Sequence, residues 1–341
     1  MLLNFFMYLI GLVLIYLIII IFSPVFPKPR QPIESNNEFK AADSLPNRID
    51  ISCKVEEDTI RGWLYLPDDI SGKVPCVILN NGFGGTKDMI LENYAKEFIK
   101  EGIAALSFDY RFFGESDGQP RQMFSVNRQI EDLLAAVNYV KNREEIDKNN
   151  IAIWGTSAAG GYGIIAAAKD KDIKCIIGQC PGLDNNADNN DVFKREGIGF
   201  FIKLFIHAQR DKGRSRFKLS SHTIPIVGKP HSTAVHTAPG AYQGYNELAT
   251  DNFKNEVCAR LILIRHLNPI DYADKIDCPA LFQICENDQF VSAQSYEKAE
   301  EILGEKANFI KYPIGHFDIY KGENFKQAVK EQIKFLKENF S

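Results

Sequence analysis

The sequence lacks a basic excess. Its 341 residues carry 40 Lys and Arg against 44 Asp and Glu, a net charge of −4. Nothing is left over to neutralise phosphates, which excludes a nucleic-acid binder. Internal repeats and low-complexity tracts are missing too. With 45% hydrophobic and 25% charged residues, the chain is neither disordered nor collagen-like. The dinucleotide pattern G-x-G-x-x-G is absent; Gly82-Phe83-Gly84-Gly85 does not complete it. Zinc-site spacing is absent: His222, His231 and His236 have no accompanying Cys or acid pattern and read as loop histidines. An even cysteine count is also lacking. The seven cysteines (53, 76, 175, 180, 258, 278 and 285) fall partly in expected buried strands, as reduced thiols do when they act as small apolar fillers. The one Asn-X-Ser/Thr sequon is Asn339-Phe340-Ser341, at the extreme end.

Charge is missing most conspicuously from Phe5–Phe22, FFMYLIGLVLIYLIIIIF. Eighteen residues at ~1.5 Å rise span roughly 27 Å, close to the ~30 Å hydrocarbon core of a bilayer. A secretory signal would show a basic start and a small-residue cleavage site. Here no Lys or Arg precedes the run, and Ser23-Pro24-Val25 is a poor site. Residues 1–25 are therefore expected to form a single-pass transmembrane anchor, and 26–47, rich in Pro, Asn and Ser, a linker. Lys28 and Arg30 follow the run, which favours the cytoplasmic side for the rest of the chain; Glu34 and Glu38 dilute that bias.

From residue 48 onward, strand and helix patterns alternate. Residues 48–55 and 59–66 read as an antiparallel pair. Short apolar runs at 74–79, 103–108, 150–154, 173–179, 279–284 and 308–312 read as buried strands. Helical spacing appears at 89–101, 126–142, 158–169, 293–303 and 324–339. Apolar strands separated by amphipathic helices predict an α/β fold, a mostly parallel sheet with helices on both faces. The rhythm breaks at 183–268, which is too long for a structureless loop and reads as a cap or lid insertion into a domain spanning 48–341.

The sharpest local signal is Trp154-Gly155-Thr156-Ser157-Ala158-Ala159-Gly160. A strand enters, a helix leaves, and the residues two before and two after Ser157 are small, as a nucleophile elbow requires. The plainer alternative is a serine N-cap. A serine needs a base. Of the six histidines, five lie in or at the edge of the insertion; His316 follows the last expected strand. A loop there reaches back over the sheet edge that carries Ser157. The acid is expected after the preceding strand, where Glu286-Asn287-Asp288 stands; Asp288, deeper in the loop, is preferred to Glu286, and Asp184 is a further alternative. Oxyanion donors are expected from the backbone N–H of Ala158, at a helix start, and of Phe83, in the Gly-rich loop after the 74–79 strand, with Gly84 next.

The chain order Ser157, Asp288, His316 and the stretches 108–118, 268–271 and 315–320 together resemble the α/β-hydrolase superfamily from about Arg48 to the C-terminus. They are similar to its branch of dipeptidyl-peptidase-like hydrolases, acyl esterases and polyketide-transferase-like proteins. The resemblance implies the α/β-hydrolase fold with a cap insertion, and an Asp-Tyr-Arg stretch (109–111) that shapes the pocket. The expected activity is cofactor-free, serine-dependent cleavage of a carboxylic ester, a small-molecule acyl substrate, by an enzyme held at the membrane. Acyl transfer and peptidase action use the same residues, and a non-catalytic binding protein on this fold is the alternative outside enzymes. One stretch falls outside this scheme: Ile198–Ile206, apolar, is followed by Arg210, Lys212, Arg214, Arg216 and Lys218. It reads either as a cap helix with a solvated basic tail or as a segment lying on an anionic membrane surface.

Overall fold

The structure, a computed structural model, describes residues 2–24 and 47–340. Nearly all of the expected linker, with Lys28 and Arg30, lies outside the described residues. Helix α1 (Leu2–Phe22) is uncharged along its length. Among the described residues it is the one helix long and apolar enough to cross a membrane, and none of its apolar window is buried against the protein.

Eight strands form one sheet: β1 (Arg48–Val55), β2 (Asp58–Tyr65), β3 (Val74–Asn80), β4 (Ala104–Phe108), β5 (Ile146–Thr156), β6 (Cys175–Gln179), β9 (Ala280–Cys285) and β10 (Ala307–Tyr312). The spatial order is β1-β2-β4-β3-β5-β6-β9-β10. The links β1–β2 and β2–β4 are antiparallel and all others parallel. Sequence pattern follows position. Central strands β4, β6 and β9 are buried along their whole length, because helices cover both faces. Edge strands β1 and β10 are mostly half-buried or exposed, with Ile51 and Val55 buried in β1 and Tyr312 in β10.

The helices between these strands are α2 (Leu91–Lys100), α3 (Val126–Lys141), α4 (Tyr162–Lys169) and α8 (Ala293–Leu303), with α9 (Gly322–Asn339) after β10. The chain moves leftward through α2 and rightward through α3, so right-handed crossovers set these two helices on opposite faces. Helix α9 packs with α2, and α4 with α3. All parallel strands therefore end at one edge, where β3, β5, β9 and β10 release the loops that concern function.

Two expected boundaries shift. β5 begins at Ile146, earlier than its apolar core, because the polar residues Lys148 and Asn149 are simply exposed there while Ile146 pairs with Val74. The helix expected from Ala158 starts as a 3-10 turn over Ser157–Gly161 before α4. Gly160 packs so closely on Pro181 that a Cβ there would lie 2.5 Å from its Cα.

Between β6 and β9 the alternation stops. This stretch holds α5 (Asn185–Glu196), α6 (Ile198–Arg216), a two-residue strand β7 (Thr223–Ile224), α7 (Ala241–Leu248) and β8 (Val257–Cys258), which pairs antiparallel with β7. Leu183, Ile224, Ile226, Leu248, Phe253 and Val257 join the same continuous core as the sheet.

Candidate active site

Ser157 sits where β5 ends, with φ of +55°. A non-glycine residue held there is strained, and the strain lifts its side chain off the sheet edge. The small neighbours are required by contact: a Cβ on Gly155 would collide with the carbonyl oxygen of Ala159.

His316 stands on the loop after β10 and is 2% exposed. Its Nε2 lies 3.0 Å from Ser157 Oγ and its Nδ1 2.6 Å from Asp288 Oδ2. With Nδ1–H donating to the carboxylate, Nε2 is left as an acceptor for the serine hydroxyl. Asp288 is itself held: its Oδ1 accepts the backbone N–H groups of Phe290 and Val291 at 2.7 and 3.1 Å. Burial opposes charge on His316, but the adjacent Asp288 carboxylate outweighs it and holds the imidazole well above the ordinary histidine value.

The two other acids considered from sequence stand elsewhere. Glu286 is exposed. Asp184 caps α5 by accepting the Asn186 N–H, and its carboxylate binds Lys298 Nζ at 2.8 Å and Asn268 Nδ2 at 2.9 Å. The three loop histidines are likewise dispersed. His222 stacks on His207, His231 faces Glu196 from an exposed position, and His236 lies within the cleft.

The Gly-rich loop lies directly on the serine. A Cβ on Gly82 would come within 2.8 Å of Ser157 Cβ. Asn81 ties the loop down: its Nδ2 donates to the carbonyls of Thr86 and Met89, and its Oδ1 accepts the Gly82 N–H. Farther along, buried Lys87 binds Asp109 through Nζ at 2.8 Å and through its backbone N–H at 2.7 Å. Asp109 thus closes the loop, while Tyr110 OH donates to Asn80 Oδ1 at 3.1 Å. Arg111 turns away, to Asp132, Glu56 and Glu131. Among the described residues the Phe83 N–H has no backbone acceptor, and Ala158 occupies the first turn of its helix, where N–H groups have no intrahelical partner.

Several residues here carried no sequence signal. A narrow cleft opens over Ser157 and His316. The inserted segment supplies His236, Tyr245 and Leu248 to its lining, and the loops near His316 supply Phe290, Phe317 and Tyr320. Tyr245 OH donates to the Phe83 carbonyl at 3.1 Å, so an inserted helix steadies the loop that carries a candidate donor. The His236 ring meets Phe83 and Phe290 edge-on; burial holds its imidazole down to about 3. Behind His316 lies Cys180, its Sγ 3.9 Å from Nε2 and 3.2 Å from Tyr320 OH, which also meets Thr156 Oγ1 at 2.7 Å. Asp188 of α5 accepts the Ser292 N–H; burial, reinforced by the charge of Asp288, pushes its carboxyl up to about 7.

Comparison with known proteins gives the same outline. The signature of the X-Pro dipeptidyl-peptidase (S15) family matches residues 58–317. The quorum-quenching protein AidA of Acinetobacter baumannii is 34% identical over 306 residues, covering 87% of this chain and 97% of that protein. Polyketide transferase ATR5 of Stachybotrys chlorohalonatus is 35% identical over 291 residues, 82% of this chain and 93% of its own. Among solved structures, the α/β hydrolase GrgF from Penicillium sp. superposes with a TM-score of 0.72 at 24% identity, over 87% of this chain and 99% of that one. At that identity the likeness is one of fold.

Proposed function

The chain belongs to the X-Pro dipeptidyl-peptidase (S15) family of α/β-hydrolases, and from that premise we propose that it is a membrane-anchored serine hydrolase cleaving a carboxylic ester. The observation that carries this reading is the unbroken relay from Ser157 Oγ through His316 to Asp288, on a serine held at positive φ.

Ser157 attacks the acyl carbonyl as His316 Nε2 takes its proton. The N–H groups of Phe83 and Ala158 hold the oxyanion, and Asp288 stabilises the imidazolium without itself being protonated. The imidazolium gives its proton to the leaving alcohol. Water, deprotonated by the same nitrogen, then releases the acid. No cofactor enters these steps. The inserted segment acts as a cap whose aromatic wall receives the acyl part. Helix α1 holds the enzyme at a bilayer, with the catalytic domain on the cytoplasmic side. Lys28 and Arg30 after the span and seven unpaired cysteines support that side.

Within the family, a peptidase reading is disfavoured by one observation. Among the described residues no Asp or Glu lines the cleft, so a substrate's amino terminus meets no carboxylate from them there. Acyl transfer is the second reading. It takes support from the polyketide transferase relative, and differs only in which nucleophile resolves the acyl-enzyme.

The test is labelling by a fluorophosphonate probe, followed by turnover of p-nitrophenyl esters of increasing chain length. Labelling of wild type but not of Ser157→Ala is expected, with turnover of at least one ester. Equal labelling of both proteins would sink the serine mechanism. Labelling without turnover of any ester would move the reading to transfer.

A further inference from the structure

Helix α6 has two apolar faces and only one of them is covered. Phe200, Leu204, Ala208, Asp211 and Arg214 form its buried row. Ile198, Ile202, Phe205 and Gly213 lie roughly 180° round the helix at 3.6 residues per turn. Ile198 is 62% exposed and Ile202 52%. A surface helix ordinarily carries polar residues there. The anomaly is concentrated. Outside α1, nine large apolar side chains are exposed among the described residues, and seven of them fall between Phe193 and Leu219. Single exposed apolar residues need no explanation, but a contiguous patch marks an interaction surface.

The position of α1 identifies the occupant. Gly213, at the end of the exposed row, is where Ile21 seats; a Cβ on Gly213 would lie 2.5 Å from Ile21 Cγ1. Arg214 donates to the carbonyls of Ile21 and Ser23 at 2.8 and 3.2 Å, and Arg210 to those of Ser23 and Pro24 at 2.9 and 3.0 Å. These bonds satisfy the open end of α1 with cations, as a helix C-terminus favours. Phe22 and Phe217 meet with ring centroids 5.0 Å apart. From this joint the two helices diverge, since the apolar sides of both remain exposed beyond it. The joint therefore fixes the C-terminal end of α6 at the level where the apolar run of α1 ends. The charges fit that level. Lys203, Lys212, Arg216 and Lys218 are exposed, while the helix's one carboxylate, Asp211, is buried and paired with Arg260.

We propose that α6 is a second, interfacial membrane contact: its Ile198–Ile202–Phe205 face, with Phe193 and Phe217, lies in the headgroup layer of the bilayer that α1 spans, and its basic residues bind anionic headgroups. An apolar face rimmed by Lys and Arg suits that layer. The inference rests on the reading of α1 as a span and adds to it a fixed orientation: the domain lies on the membrane by α6 instead of swinging from a single helix.

The experiment uses the full-length protein in phosphatidylcholine vesicles with and without phosphatidylglycerol, and lipids brominated at shallow or deep acyl positions. Tryptophan is placed at Phe205 or Ile202 for α6, at Tyr16 for α1 and at Ile302 as a remote exposed control, with wild-type fluorescence subtracted. Quenching of Phe205→Trp and Ile202→Trp by about twofold or more is expected, stronger from shallow bromines, as a burial depth of about 5–10 Å requires. Tyr16→Trp should respond to deep bromines and Ile302→Trp to neither. Adding Lys203→Glu and Lys212→Glu should reduce the α6 signal on anionic vesicles. Quenching at Tyr16 with none at either α6 position would overturn the inference and leave the anchor standing. Absence of quenching at all three would overturn both. A blue shift of Phe205→Trp that follows protein concentration and ignores lipid would assign the face to a second copy of the chain and overturn the inference as well.

Discussion

The two walls of the cleft are built on different principles. The sheet wall, made of the loops after β3, β5, β9 and β10, holds the polar groups in a hydrogen-bonded, strained frame and sets the aromatic side chains Phe83, Phe290, Phe317 and Tyr320 beside them. Ser157 is held at positive φ, Asp288 accepts two backbone N–H groups beside its bond to His316, and Gly82 presses on the serine. The inserted wall is aromatic and apolar, and its one titratable imidazole, His236, is held down to about 3 by burial. In the proposed reaction the first wall orients the reacting atoms, and the second narrows the space above them. Damage to the first should therefore appear in kcat, and damage to the second in KM and in chain-length preference.

The largest break is at Ser157, the proposed nucleophile. Ser157→Ala should lower kcat roughly 10⁶-fold and abolish fluorophosphonate labelling, with the thermal unfolding midpoint little changed. Next is the acid. Asp288→Asn should reduce kcat about 10⁴-fold by losing the productive tautomer. It should also move the pH profile. His316 must be neutral to accept the serine proton, and Asp288 raises its pKa. Wild-type activity should thus fall as pH drops through a value above the ordinary ~6.5. Without the carboxylate, burial dominates and the residual activity should retain its acid limb at lower pH. An unmoved limb would show that Asp288 does not set the charge on His316.

Intermediate effects belong to the contact between the walls. Gly82→Ala pushes a methyl against Ser157 and displaces the candidate donor beside it, so a loss of about 10²-fold in kcat is expected. Tyr245→Phe removes the hydroxyl that holds the Phe83 carbonyl; a net hydrogen bond of about 1 kcal/mol predicts a loss of roughly fivefold in kcat/KM. The smallest effect on kcat should come from the inserted wall itself. His236→Phe keeps an aromatic of similar size and should change kcat by no more than about threefold, while altering KM across an ester series. A large fall in kcat with a shifted acid limb would refute the division between walls, because it would make His236 part of the proton relay.

The sheet wall was legible for a reason particular to strands. A buried parallel strand is a short apolar run, and the loop that follows it must emerge at one known edge. Ser157, Asp288 and His316 each follow such a run, so three positions far apart in sequence could be assigned to one edge. Boundaries were less legible where burial did not govern composition. Lys148 and Asn149 belong to β5 although they are polar, because that end of the strand faces solvent. The inserted wall was illegible. His236, Tyr245 and Leu248 stand at the cleft because of the path taken by an irregular segment, and no period in the sequence encodes that path. Cys180 reads as apolar filler in sequence, although it follows β6 and therefore comes to lie behind His316.

The sequence by itself determined the class of fold, the edge at which the candidate chemistry gathers and the existence of an apolar span. Each of these follows from local periodicity or composition, which the chain carries wherever it goes. Tertiary structure alone decided which residues face the serine from the inserted side, which acid meets His316, and that α6 turns its apolar residues outward from a joint with α1. Those outcomes depend on contacts between distant segments. An apolar run states that a surface must leave water, and only packing shows whether it is covered by the protein or left bare beside the end of an apolar helix.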